Sequence, residues 1–193
     1  YPSFYLQDFG GARMGNISID GVMGYNLLKR YVVEINFQKR EMTLYKSGLF
    51  HDPPGAEQLK LTLNYRTPVI EAAVGTGGGH MLPGAYHVVT GGDFGLLLNG
   101  KYVEKYGLDS ALHPSGPVKR PDLLRPVTYT KGTASVFTIG HHRLEEVGVL
   151  YSPQVDDAGH DREIAGAIGA RVWRQFILYI NLPGSALYLL PAR

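Results

Sequence analysis

The chain has 193 residues, 44% hydrophobic and 19% charged, a balance that suits a packed globular protein. Its formal net charge of +2 is carried by scattered basic residues, so no basic stripe argues for nucleic-acid binding. Zero Cys excludes disulfides, thiol nucleophiles and cysteine-ligated metals, and the sequence holds no apolar run long enough for a membrane span. The compartment stays open. Exported bacterial proteins also lack cysteine, and a chain that starts at Tyr1 leaves room for an upstream segment.

The 25 Gly and 12 Pro favour short strands joined by turns. In chain order, the first readable segment is Ile19 to Tyr45, and it recurs as Ile164 to Leu190 at an ungapped offset of 145 positions. Ile19/Ile164, Gly21/Gly166, Gly24/Gly169, Ile35/Ile180, Asn36/Asn181 and Leu44/Leu189 are identical pairs. Each copy reads as an apolar-apolar-Gly turn, a short amphipathic helix, a strand, a turn and a last strand. The helices are GYNLLKRY and GARVWRQF, with Leu27, Leu28 and Tyr31, or Val172, Trp173 and Phe176, on one face. The strands VVEINF and ILYINL run through QKRE and PGSA into MTLY and LYLL, a hairpin in each copy.

Between the copies, HDPPG cannot continue a regular element and reads as a linker. The expected organisation is therefore 1–50 as the C-terminal half of one lobe, 51–56 as linker and 57–190 as a complete second lobe. Within that lobe, EQLKLTLNY alternates and places Leu59, Leu61 and Leu63 on one face. PVIEAAV and AYHVV follow as strands around the flexible tip GTGGGH, and AYHVV runs into TGGDFG. LLLNGKYVEKYGL reads as a strand end and a helix closed by Gly107. The Pro-rich stretch SALHPSGPVKRPDLLRP reads as loop. VTYTKGTASVFTIG reads as a hairpin turning at Lys131-Gly132, VGVLY as a strand and PQVDDAGHDRE as a polar loop.

This order of a strand, Val89-Thr90-Gly91, strands, an apolar-apolar-Gly turn, a short helix and a hairpin resembles a lobe of the pepsin/retropepsin aspartic proteases. The strings DGVMGYNLLKRYVVEINFQKREMTLY and VVTGGDFGLLLNGKYVEKYGL are most similar to bacterial retropepsin-like proteins. The resemblance implies an all-β fold with short helices, one complete acid-protease lobe and the C-terminal half of another. It implies peptide-bond hydrolysis by two carboxylates sharing a proton, one from each lobe. It implies a peptide or protein substrate and an upstream fragment or second copy completing the first lobe. The Ala167-Ile168-Gly169 and Val22-Met23-Gly24 turns would pack beneath the two catalytic loops. Thr90 and Gly91 match the family's loop, whereas Val89 stands where it has the catalytic aspartate. Valine cannot ionise, accept a hydrogen bond or activate water. The other aspartate would come from a segment before Tyr1 or from a partner. The alternative is a pseudo-protease, a peptide-binding or structural module that kept the cleft and lost the dyad.

Asp93, beyond the Gly-Gly turn, is the candidate substitute carboxylate, with a solvated turn or helix cap as its other reading. Asp20 has Ala165 as its repeat counterpart, which favours a turn role. A flap over an extended peptide would fall at Tyr129, Lys131 and Gly132. His141 and His142, read as strand neighbours, point to opposite faces and so do not form a metal pair. Asp156 to Glu163 lacks the spacing of a calcium loop. No P-loop or dinucleotide fingerprint occurs, and no cofactor is expected.

Overall fold

A computed structural model describes residues 13–14, 17–18, 23–121, 126–152 and 164–192. Asp20, Val22 and the Asp156 to Glu163 loop lie outside the described residues. The rest is all-β with short helices. A two-stranded ribbon joins β1 (Arg13–Met14) to β2 (Ile17–Ser18). Helix α1 (Tyr25–Leu28) leads into the hairpin of β3 (Tyr31–Asn36) and β4 (Glu41–Lys46). After a 3-10 turn at Ser47–Leu49 come β5 (Glu57–Lys60) and β6 (Thr62–Asn64). Next are β7 (Thr67–Gly75), β8 (Met81–Val88), β9 (Leu96–Asn99) and α2 (Gly100–Lys105). A second 3-10 turn (Ser110–Leu112) precedes β10 (Gly116–Pro121), β11 (Pro126–Ile139) and β12 (His142–Ser152). The chain ends with β13 (Ile164–Ile168), α3 (Ala170–Trp173), β14 (Phe176–Asn181) and β15 (Ala186–Pro191).

Eight of these strands form one sheet in the order β10-β11-β12-β9-β13-β8-β7-β6. A further pairing of β11 with β7, Phe137 opposite Val74 and Thr138 opposite Ala73, closes its middle six strands into a barrel. Closure removes the free edges of β7 and β11 over that stretch. The barrel interior holds Tyr86, Leu96, Leu98, Phe137, Ile139 and Val149, all buried. Tyr86 and Phe137 meet edge to face at 5.3 Å between centroids, the arrangement that ring quadrupoles favour.

The second sheet, β4-β3-β14-β15-β5, is where the two repeat copies meet. β3 pairs antiparallel with β14, with Glu34 opposite Tyr179. Those two residues are also counterparts at the repeat offset of 145. A local two-fold axis therefore passes through this pair and exchanges the two hairpins. Phe50 packs its ring on Tyr45, Tyr179 and Tyr188 at 5.5, 6.1 and 5.6 Å. Asp52 accepts a hydrogen bond from the Tyr188 hydroxyl at 2.6 Å, so the expected linker is anchored on the sheet.

Three expectations change. EQLKLTLNY is not one strand: it breaks at the buried Leu61, with β5 in the five-stranded sheet and β6 in the barrel sheet, and Leu63 is left exposed. The Pro-rich stretch contains β10, an edge strand, where a missing amide at Pro117 costs no ladder bond to a second neighbour. VTYTKGTASVFTI is a single strand, not a hairpin. Gly132 is there because a Cβ would overlap the carbonyl of Leu112 on the neighbouring 3-10 turn, a close approach rather than a turn. The β10–β11 hairpin instead closes through 122–125, outside the described residues.

Glu57 ties the two sheets together. Its carboxylate accepts from the His141 backbone N–H at 3.0 and 3.1 Å and lies 2.6 Å from His141 Nδ1 and 3.2 Å from His142 Nε2. Both rings reach one acid because His141 sits in the turn between β11 and β12, outside strand alternation.

Tyr45 and Tyr102 are among the tyrosines that make the fold alkali-sensitive. The Glu34 carboxylate that accepts the Tyr45 hydroxyl bond, and then burial, push Tyr45 up to about 12. Burial pushes Tyr102 up to about 12 as well. The native state thus holds protons that the unfolded chain releases above its ordinary value of 10.0, so stability falls as pH rises from 10 toward 12. A titration followed in the tyrosinate absorption band should show late-titrating tyrosines, and Tyr45→Phe should flatten the loss of melting temperature across that window.

Candidate functional site

The site begins at the end of β8, where the barrel changes direction. β13 lies between β8 and β9, parallel to the first and antiparallel to the second. The segment 89–95 must therefore pass over the end of β13 to connect its two neighbours. That crossing is held by backbone bonds. Val89 N–H donates to Ile168 O at 3.0 Å, Gly169 N–H to Gly95 O at 2.8 Å, Ala170 N–H to Gly92 O at 2.8 Å and Arg171 N–H to Phe94 O at 3.1 Å. The Ala167-Ile168-Gly169 turn sits beneath the Thr-Gly-Gly loop.

Glycine is required where the crossing is tightest. A Cβ on Gly169 would overlap the Phe94 carbonyl and ring, and one on Gly166 would overlap the Leu97 carbonyl. Below the loop, Trp173 is fully buried and donates its indole N–H to Ile168 O at 2.8 Å. The loop's backbone is thereby fixed from below, which is the kind of preorganisation a site needs.

Its side chains lack an acid at the crossing. Val89 and Thr90 are half-buried and Gly91 is exposed. Asp93 turns toward α3, where Arg171 grips it through two bonds, Nε to Oδ1 and Nη2 to Oδ2, each 3.1 Å. Arg174 Nη1 stands 4.0 Å from the same carboxylate. That hydrogen bond, and then the charge of Asp93, raise the Arg171 pKa. All three side chains are more than half exposed, so the cluster contributes little to stability, but it commits the one carboxylate of the loop to two cations. Sequence reading missed Arg171 and Arg174 as its partners. The available signal was their spacing of three on a helix that follows an apolar-apolar-Gly turn.

Tyr129, Lys131 and Gly132 lie within β11, paired with Val118, Gly116 and β12. Tyr129 and Gly132 are buried and Lys131 is exposed. The structure brings none of the three to a hairpin tip. Among the described residues, no group of three His, Asp or Glu side chains is placed to hold a metal ion. No helix among them is long and apolar enough to cross a membrane.

The first repeat offers a contrast. Ile168, Leu187 and Leu189 are each 0% exposed, whereas their counterparts Met23, Met42 and Leu44 are 65%, 43% and 44% exposed. Gly24, the counterpart of Gly169, has nothing within 4 Å of where its Cβ would stand. The second copy is packed against a barrel; the faces equivalent to it in the first copy are open.

No family model matches the chain. No curated protein matches it. Among solved structures, it is similar to a retropepsin-like aspartic protease from Rickettsia conorii, at 15% identity and a TM-score of 0.47, over 70% of this chain and 89% of that one.

The asymmetry between the two glycines is measurable. Gly169→Ala should lower unfolding free energy by about 1–3 kcal/mol through overpacking, whereas Gly24→Ala should cost less than about 1 kcal/mol, the scale of a helix cap. Urea unfolding of both variants checks this; equal losses would mean that the crossing is not tight at Gly169.

Proposed function

We propose that this chain is a retropepsin-like lobe, with part of a second, that binds an extended peptide or a partner segment without supplying a catalytic carboxylate from its own loop. The observation that carries the reading is Val89. It directly follows β8, with its N–H fixed to Ile168 O, at the position where the resemblance expects a catalytic acid, and it offers only methyl groups. Arg171 grips the Asp93 carboxylate and Arg174 stands 4.0 Å from it, which argues against Asp93 standing in for an acid at position 89. The strand order, the loop crossing over β13 and the Ala-Ile-Gly turn beneath it support the protease-like classification.

A second reading keeps peptide-bond hydrolysis, with an aspartate supplied by another lobe from an upstream segment or a second chain. The open faces of the first repeat favour the presence of such a lobe. By the local two-fold axis, the pairing of β5 on Ala186 to Leu189 maps onto Glu41 to Leu44. A strand docked there would continue the sheet beyond β4, its described edge. A lobe above it would cover Met23, Met42 and Leu44.

Peptide cleavage between about pH 3 and 8, the range in which carboxylate dyads titrate, separates the two. The expected result is no cleavage by the unmodified protein that a transition-state-mimicking inhibitor suppresses. Inhibitable cleavage by that protein, lost in Asp93→Asn, would replace the first reading with a hydrolase using Asp93. Cleavage gained only in Val89→Asp would show that a second carboxylate is present and that valine silences the pair.

The docking face has its own test. Met42→Lys with Leu44→Lys should leave the melting temperature of the isolated chain nearly unchanged, since both side chains are exposed. It should abolish concentration-dependent association in sedimentation. A chain that is monomeric at every concentration, with or without the substitutions, would remove self-pairing at β4.

A further inference from the structure

The end of the barrel remote from the Thr-Gly-Gly loop carries a second concavity. β8 spans eight residues from the Gly75–Met81 tip to the loop, which places the two ends about 25 Å apart. The pocket there has a volume of about 550 Å3. It is framed by the β7–β8 tip, the Ser110–Leu112 turn with His113, Ser135 and Val136 of β11, and Arg143 of β12.

Its one formally charged lining residue, Arg143, is a cation. Arg143, His80 and His113 line it, together with Ser110 and Ser135, and no Asp or Glu does. His113 Nε2 and Ser135 Oγ lie 3.1 Å apart. His113 adopts a left-handed backbone, φ 44°, which non-glycine residues rarely take, and this sets its ring beside Ser135. No carboxylate orients the other His113 nitrogen among the described residues, so the pair lacks the third member of a nucleophilic triad and fits binding instead.

The glycines add backbone donors. Gly77, Gly78 and Gly79 have φ of 85°, 58° and 84°, and no atom stands within 4 Å of a Cβ built on Gly77 or Gly79. These positions need glycine for conformation rather than for space. Only the N–H groups of Thr76 and His80 are used within the tip, paired with His80 O and Gly77 O. The N–H groups of Gly77, Gly78 and Gly79 are thus left as donors on a tip that lines the pocket.

We propose that this pocket binds an oxyanion, the phosphate or carboxylate of a small molecule, through Arg143, His113, Ser135 and the Gly77–Gly79 amides. Glu145, whose Oε1 lies 3.3 Å from Arg143 Nε, competes with the ligand for that guanidinium. The assignment does not depend on whether the distant loop is catalytic.

Amide-resolved NMR titration of the full chain with inorganic phosphate, with acetate and with chloride at equal ionic strength tests it. Saturable shifts at Gly77 to His80 and Ser135 are expected with phosphate, acetate or both. The two arms distinguish a phosphoryl from a carboxylate ligand, and chloride should give none. Arg143→Gln and His113→Gln should each weaken binding by about tenfold, the scale of one charge-assisted bond. Glu145→Gln should strengthen it by releasing Arg143. All three side chains are exposed, and the spectra themselves report whether the variants stay folded. Non-saturable shifts equal to those of chloride, or affinity unchanged in both Arg143→Gln and His113→Gln, would overturn the proposal.

Discussion

The structure depends on one steric constraint: a chain segment must cross over β13 at backbone contact distance. β13 is the strand that joins β8 to β9 in the sheet, so without the crossing the barrel does not close. Gly166 and Gly169 permit it, because any Cβ at either position would occupy the space of a carbonyl on the β9 side. The bonds from Gly169, Ala170 and Arg171 then fix the loop. Trp173, fully buried, donates its indole N–H to Ile168 O from below. Loop geometry, barrel closure and the seating of α3 are thus one event.

The same constraint accounts for how the loop is held with a valine at position 89. The bonds that fix the loop on β13 and α3 from Val89, Gly92, Phe94 and Gly95 run through backbone groups, and none requires the side chain at position 89. By these bonds the loop's shape does not depend on which side chain stands at position 89. Asp93 illustrates the complement. Its side chain is exposed and its partners lie on α3, so it decorates the loop from outside.

The internal repeat is a symmetry of the backbone that the environment does not share. Glu34 and Tyr179 face each other across the local axis, and the two hairpins around them pair alike. Their outer faces differ because a barrel lies over β15 and no described barrel lies over β4. Identical patterns of hydrophobic residues therefore end as core in one copy and as surface in the other. An exposed pair such as Met42 and Leu44 on an edge strand is a feature that natural sheets usually cover or interrupt.

The repeat, the two hairpins, the short helices and the glycine at the end of α2 were legible in the sequence, because each is set by local periodicity or by a residue with a restricted conformation. So was the fact that Val89 removes the expected carboxylate, which is a property of one side chain. Other features were decided only by tertiary structure. The break of EQLKLTLNY at Leu61 follows from two sheets competing for one segment, and alternation alone cannot show which sheet takes each half. The role of Gly132 follows from the approach of Leu112, a contact between residues 20 positions apart. The pairing of Asp93 with Arg171, and the meeting of His113, Ser135 and Arg143 at one barrel end, join residues far apart in the chain. Local sequence fixes what a segment can become; which neighbour it meets is fixed by barrel closure, a property of the whole chain rather than of any one segment.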